Sequence, residues 1–520
     1  MRGRSRFVSL LMAVLSTGVL PAGAQQKPHL DLDRFSAYAA NALKEWNVPG
    51  MAIAVVKDDQ IVLAKGFGVR KLGETTPVDD HTLFGIGSCT KAFTAAALAT
   101  LVDEGKLRWD DPVTKYLPWF QMYDPYVTRE MTVRDLLSHH SGLQTFGGDL
   151  LWYHSNYDRN EVVRRVRFLK PTSSFRSRFG YQNIMFLAAG MVVQSITGKS
   201  WDDFVKERLF GPLGMRDTNT SVESLKVTGD FAAPHNELDG KLRLINYCNA
   251  DNIAPAGAIN SSVSDLAQWI RLQLSRGLYQ GKQLFSGAAS REMWSAQTII
   301  PVSEQAERQG THFQAYGLGW VLNDYNGRKL VSHGGGLDGM ISQVGLMPEE
   351  NLGIVILTNS ETPLASLLMR KLFDMQLGLP ERDYSGDALK ASAAGATARK
   401  AADASLETQR AAGTHPSLPI EKYAGQYEDK MYGDASVTIE NGKLVLKFIP
   451  SPDFVADLEH WHYDTFLLRW RDQLAYPFPK GFVTFDLDAR GHVAGFKIDQ
   501  PNNDFNFDEL DFKRSSDAGQ

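Results

Sequence analysis

The sequence predicts an α+β protein, an antiparallel sheet flanked by helices, followed by a small all-β barrel. Three observations predict it. Strand-like runs stand near residue 50 and again from about Tyr316 to Ser360, with helical and loop-rich sequence between, so both ends of this region complete one sheet. The stretch "FGIGSCTKAFTAAALATLVDEGKL", Phe84 to Leu107, is apolar on almost every side until Asp103, as a helix inside a large core must be. From about Leu418 the texture changes to short strands broken by Asn-Gly and Arg-Gly turns.

The chain of 520 residues begins with "MRGRSRFVSLLMAVLSTGVLPAGAQQ". Three Arg, an apolar run from Phe7 to Leu20 and the small residues Ala22-Gly23-Ala24 predict a secretory signal peptide over 1–24. The apolar run is too short for a stable membrane span, and no other segment approaches that length. The mature chain is therefore expected to start near Gln25, exported to the periplasm or secreted. Loss of three Arg takes the formal charge from −5 to −8, which gives no argument for nucleic acid. Two cysteines, Cys89 and Cys248, are no disulfide framework. No Cys or His cluster has ligand spacing, so neither metal nor cofactor is expected.

Element by element, "MAIAVVKDDQIVLAKGFGVR" reads as two strands around a Lys57–Gln60 turn. Gly85 and Gly87 let the chain turn into the buried helix, and Gly105 can end it. "NIMFLAAGMVVQSITG" is an apolar helix closed at Gly198, and Ser200 and Asp203 then stand in capping-box spacing. "YGLGWVL", "KLVSHGGG", "ISQVGLMP" and "LGIVILTNS" are short strands, with His333 at the end of one. The helix "PLASLLMRKLFDMQLG" closes a domain spanning 25–382. Residues 383–415, rich in Ala, Ser, Lys and Gly, form a linker or a solvated surface helix. Residues 416–515 form the barrel.

Chemistry concentrates in three places. Ser88 and Lys91, three apart, share a helix face. A lysine near a buried helix start loses hydration, which disfavours its charged form and suits it to act as a base. Ser88 alone reads equally well as an N-cap. Tyr181-Gln182-Asn183 stands at the mouth of the second apolar helix. A phenol can shuttle protons if a nearby cation lowers its pKa, and an amide can hold a substrate carbonyl. After His333, the glycines through Gly335 and Gly336 offer backbone amides that can approach a ligand closely. Taken singly, these are also a core tyrosine, a helix cap and a turn.

In this order, Ser88-Cys89-Thr90-Lys91, Tyr181-Gln182-Asn183 and His333-Gly334-Gly335 resemble the three motifs of the class C β-lactamase and penicillin-binding-protein-like serine hydrolases. The resemblance continues in "LLSHHSGL", "APAGAINSSVSDLAQW" and "VSHGGGLDGMISQVGLMPEENLGIVILTN", and covers about Leu32 to Gly378. The tail, with "YAGQYED" and "LEHWHYDTF", resembles a lipocalin-like domain. The resemblance implies a serine β-lactamase-like fold with Ser88 as nucleophile and Lys91 and Tyr181 as acid and base. It places the oxyanion between the amides of Ser88 and Gly336, with Asn183, His333 and Gly335 binding substrate.

The third motif departs from the Lys-Thr-Gly usual in the family. Its weakened carboxylate clamp leaves Arg176 or Arg178 as substitutes, each equally a surface charge. His at this position resembles D-aminopeptidases, related peptidases and some esterases. The expected function is an exported serine hydrolase cleaving amide bonds, with D-amino-acid-containing peptides among the substrates considered. Alternatives are a carboxylesterase on short acyl esters, a β-lactamase or D-Ala-D-Ala carboxypeptidase, and a non-hydrolytic binder or sensor. A small-molecule or short-peptide substrate is the expected partner, with the oligomeric state left open. If neutral His333 shapes the site, its protonation should reduce activity on the acidic side of neutral.

Overall fold

The computed structural model describes residues 30–515 apart from residue 309. The leader and cleavage site predicted over residues 1–24 lie outside the described residues. An amphipathic helix α1 (Leu32–Glu45) precedes the sheet, capped by the Asp31 carboxylate, which accepts from the amide of Arg34. Sequence reasoning did not single it out. The strands are β1 (Gly50–Lys57), β2 (Gln60–Gly68), β3 (Thr298–Ile299), β4 (Gln314–Tyr316), β5 (Val321–Tyr325), β6 (Arg328–Leu337), β7 (Met340–Met347) and β8 (Leu352–Thr358). They lie in the order β2-β1-β8-β7-β6-β5-β4-β3. β1 pairs antiparallel with β8, Met51 opposite Thr358 and Lys57 opposite Leu352, so the early hairpin and the late strands do complete one sheet.

One face of this sheet packs on α1 and on α5 (Leu364–Leu377), burying Phe35, Ile53, Ile354, Leu368 and Phe373. The other face packs on α2 (Thr90–Asp103), α3 (Asn183–Thr197) and α4 (Val263–Leu274). α2 is buried from Thr90 to Leu101, and its Phe93 ring stacks on Trp269 at 3.8 Å. A fully buried ring of this kind contributes ~1.5–3 kcal/mol relative to exposure. Small residues on α3 admit a close neighbour. A Cβ on Gly190 would meet Pro255 Cγ at 2.2 Å, so the turn Ala254–Gly257 sits directly on the helix.

The glycine run after His333 is strand, not turn. β6 continues to Leu337, which puts His333 inside it rather than at its end. β5 stops pairing at Ser332, while β7 pairs onward to Leu337. One edge of residues 333–337 is thus left without a neighbouring strand.

Tyr384–Thr408 forms helix α6, exposed for nearly its whole length, with only Tyr384 and Ser385 buried. Eight strands then close a barrel, the last (Phe512–Arg514) pairing with the first (Gly425–Asp429). Asn441 and Gly442 turn one hairpin with positive φ of 52° and 74°. The barrel docks on the loop after residue 143 of the first domain. There the Tyr153 ring lies 4.2 Å from Phe505, and the amide of Asn156 donates to Pro450 O at 2.7 Å.

Candidate active site

Ser88 lies in a single 3₁₀ turn, Gly87–Cys89, that leads into α2. It is not a cap: Cys89 holds the N-cap position and makes no side-chain cap bond. The turn is pressed against β6 so closely that no side chain fits between them. A Cβ on Gly335 would meet Ile86 O at 2.0 Å and the Ser88 amide nitrogen at 2.9 Å. One on Gly87, at φ 48°, would meet Gly336 N and O at 2.8 Å. Ser342 Oγ donates to Ile86 O at 2.7 Å, and Cys89 Sγ donates to His333 O at 3.2 Å, fastening the turn to β6 and β7. Gly335 is buried, while Gly334 and Gly336 alternate outward. The backbone at Ser88 and that at Gly335–Gly336 therefore lie directly against one another.

Lys91 has no exposed surface. Its Nζ stands 3.0 Å from Ser88 Oγ, 2.6 Å from Asn183 Oδ1 and 3.0 Å from Ala256 O. Burial pulls its pKa down from 10.5 to about 7, opposed by the charge of Asp149. A neutral amine has two hydrogens and one lone pair. The two carbonyl acceptors take the hydrogens, which leaves the lone pair for the Ser88 hydroxyl to donate to.

Tyr181 faces the same point. Lys91 Nζ lies 4.7 Å from its ring centroid. Its buried hydroxyl has no hydrogen-bond partner of ordinary geometry, and interaction with Ser88 is what most opposes the rise in its pKa. The expectation that a cation lowers this pKa is corrected: burial raises it well above 10. Tyr181 stays a neutral phenol, able to pass a proton but not to hold a charge.

His333 is also corrected. Burial and Lys91 push its pKa down to about 3, so it is neutral at every working pH and cannot supply an acid limb near neutrality. Its Nε2 lies 2.8 Å from the Tyr316 hydroxyl, and its Nδ1 lies 2.6 Å from Gly334 O. Arg176 is not a carboxylate clamp. Its guanidinium donates to both Asp135 oxygens, at 2.9 and 2.7 Å.

Sequence reasoning missed two buried residues. Asp149 Oδ2 accepts from Asn183 Nδ2 at 2.6 Å, and burial raises its pKa to about 7. An acid inside the apolar stretch "GGDLLW" was the available signal. The His139 ring packs at a tilt against Tyr181 at 4.2 Å and against Tyr316 at 4.3 Å. Its Nδ1 accepts from the Gln182 amide at 3.0 Å, which places the ring proton on Nε2. His140, its neighbour, is tied to Asp135 and Thr298 and serves the fold.

A cavity of about 830 Å³ lies at the β3–β4 edge between Ile299, Phe313 and Arg328, and the Ser88 group does not line it. Chemistry rather than volume marks the site. Spacing gave no metal site, yet the fold brings ligand atoms of His154, Cys248 and Asp338 within 4.8 Å of one another, from three distant segments. This donor set is one that zinc accepts. His154 is already paired with Asp338 at 3.4 Å and Asp453 at 3.3 Å.

With this geometry in place, comparison with known proteins decides the family. The beta-lactamase profile matches residues 35–379. The chain belongs to the beta-lactamase family. It is a hydrolase of the serine beta-lactamase kind. A domain of unknown function, DUF3471, matches residues 409–514, the barrel. The unguisins hydrolase ungD' of Aspergillus campestris is 30% identical over 439 residues, covering 80% of this chain and 79% of that one. Among solved structures, the octameric penicillin-binding protein homologue from Pyrococcus abyssi superposes with a TM-score of 0.61 at 22% identity, covering 91% of this chain and 98% of that one. A D-stereospecific amidohydrolase from Streptomyces sp. gives 0.51 at 23% identity, over 65% of this chain and 98% of that one. These two share the fold. Among the described residues, no helix of this beta-lactamase family member is long and apolar enough to cross a membrane.

Proposed function

We propose that this protein is an amidohydrolase acting through an acyl-enzyme on Ser88, with peptides containing D-amino acids as its substrate class. The observation that carries the chemistry is the Lys91 amine, fully buried and 3.0 Å from Ser88 Oγ. Neutral Lys91 takes the Ser88 proton as Oγ attacks the substrate carbonyl. The developing oxyanion sits between the amides of Ser88 and Gly336, each such donor being worth ~2.7–4 kcal/mol. The tetrahedral intermediate collapses, and the proton on Lys91 passes through the Tyr181 hydroxyl to the leaving amine. Water then attacks the acyl-enzyme, giving its proton back along the same pair and releasing Ser88. The substrate class is supported by kinship to an unguisins hydrolase and by the fold shared with a D-stereospecific amidohydrolase.

A second reading, a carboxylesterase for short acyl esters, is favoured by a neutral His333 in the third motif, which gives no cation to clamp a substrate carboxylate. Initial rates on a D-alanyl anilide, a short nitrophenyl ester and a chromogenic cephalosporin, with Ser88→Ala as blank, separate the two. Fastest Ser88-dependent cleavage of the anilide supports the amidohydrolase. Turnover of the ester or the cephalosporin alone overturns it. Export after cleavage near Gln25 belongs to the same proposal, and N-terminal sequencing of the protein made in its host tests it.

A further inference from the structure

Residues 144–149 are gripped from two sides. From the catalytic domain, the Phe146 amide donates to Tyr181 O at 2.8 Å, and Gln182 Nε2 donates to Gln144 O at 2.5 Å. From the barrel comes Glu509. Its Oε1 accepts from Gln144 Nε2 at 2.8 Å, and its Oε2 accepts from the Gly148 amide at 3.0 Å and from the Tyr432 hydroxyl. The carboxylate also rests on the backbone, since a Cβ on Gly147 would meet Oε1 at 3.1 Å.

This loop delivers Asp149. An amide side chain can sit either way round in a pocket, and only its neighbours choose. When ionised, the Asp149 carboxylate can only accept, so it takes Asn183 Nδ2 and turns Oδ1 towards Lys91. Gly147 and Gly148, the latter at φ 81°, make the approach to Asp149 intrinsically loose. A restraint from outside the loop is needed to hold it, and Glu509 accepts from Gln144 Nε2 before the glycine pair and from the Gly148 amide within it.

We propose that Glu509 of the barrel is a positioning residue for the catalytic pair. It fixes residues 144–149 so that Asp149 orients Asn183, and Asn183 in turn holds the Lys91 amine against Ser88. The barrel, which the DUF3471 model matches, thereby completes the active site of the other domain. The inference rests on the Ser88–Lys91 chemistry proposed above.

The test compares full-length wild type with Glu509→Gln and Gln144→Ala, the second breaking the contact from the loop side and leaving the barrel intact. Active sites are counted by the burst with a nitrophenyl ester, and kcat is expressed per counted site. A merely structural role lowers the number of sites and leaves kcat per site unchanged. Positioning predicts a drop in kcat per site of about 10- to 100-fold with KM within about twofold, the size expected of a ~1 Å misplacement. Wild-type kcat per site in both folded variants overturns the inference. If Glu509→Gln does not melt cooperatively, Gln144→Ala decides alone. If Ser88→Ala keeps its turnover, the Ser88 reading has failed and this inference falls with it. If Ser88→Ala is dead and both variants run at wild-type rate, only the role of Glu509 falls.

Discussion

Replacing Lys91 with Met should change how stability depends on pH. The unfolded chain holds the Lys91 proton up to about 10.5, whereas the folded protein releases it near 7. Between these values the unfolded state binds more protons, so wild-type stability rises with pH across that window. Below pH 7 the full penalty applies, about 5 kcal/mol at 1.36 kcal/mol per pKa unit. By pH 10 most of it has gone. Lys91→Met carries no such proton. Wild type should therefore gain about 2–3 kcal/mol on the variant between pH 8 and pH 10. Urea unfolding of both proteins at pH 8, 9 and 10 reads this directly, and titrations of groups not coupled to Lys91 cancel in the difference. Lys91→Met also orphans Asn183 Oδ1 and Ala256 O, at ~1–3 kcal/mol each, but that offset does not vary with pH. Parallel curves, or a wild type that loses ground as pH rises, would refute the claim that Lys91 is folded as a neutral amine.

Other consequences can be checked alongside. The acid limb of kcat/KM should fall near pH 7, where Lys91 becomes protonated, and should stay within about a unit of that in His333→Asn. A limb that vanishes or moves further would restore His333 as the titrating group. Gly335→Ala should drive a methyl into Ile86 O and the Ser88 amide, lowering kcat by about 100-fold or more in whatever fraction folds. Asn183→Leu removes the 2.6 Å acceptor of Lys91 and the donor to Asp149 together. It should cost about 100-fold in kcat per titrated site, and near-wild-type rates would show that Asn183 serves substrate alone.

Much of this molecule was legible in its sequence because the signals were local. The Lys57–Gln60 hairpin, the buried α2, the closure of α3 at Gly198 and the Asn-Gly turn of the barrel each depend on a few adjacent residues. The nearness of Ser88 to Lys91 was equally local, because three helical steps enforce it. What escaped was set by burial and by distant partners. The pKa values of Tyr181 and His333 follow from how completely the fold dries them, and spacing carries no trace of that. The glycines after His333 could be read alone as a turn beyond the strand end, yet they continue the strand because the Ser88 turn lies where side chains would go. Asp149 meets Asn183, 34 residues on, through a loop held partly by another domain.

The pairing of β1 with β8 has a consequence for biosynthesis. Met51 waits for Thr358, about 300 residues away, and β1 is buried along almost all of its length once that partner arrives. At ~5–20 residues per second, the ribosome leaves the N-terminal hairpin with one edge unpaired for about 15–60 s. During that interval the chain offers a Val- and Ile-rich edge to any other strand it meets. On the mechanism proposed above, Ser88 is likewise without the amide of Gly336, so the nascent chain should be hydrolytically silent. A holdase able to cover a single apolar strand edge, rather than a foldase acting on the finished domain, is the assistance this topology calls for.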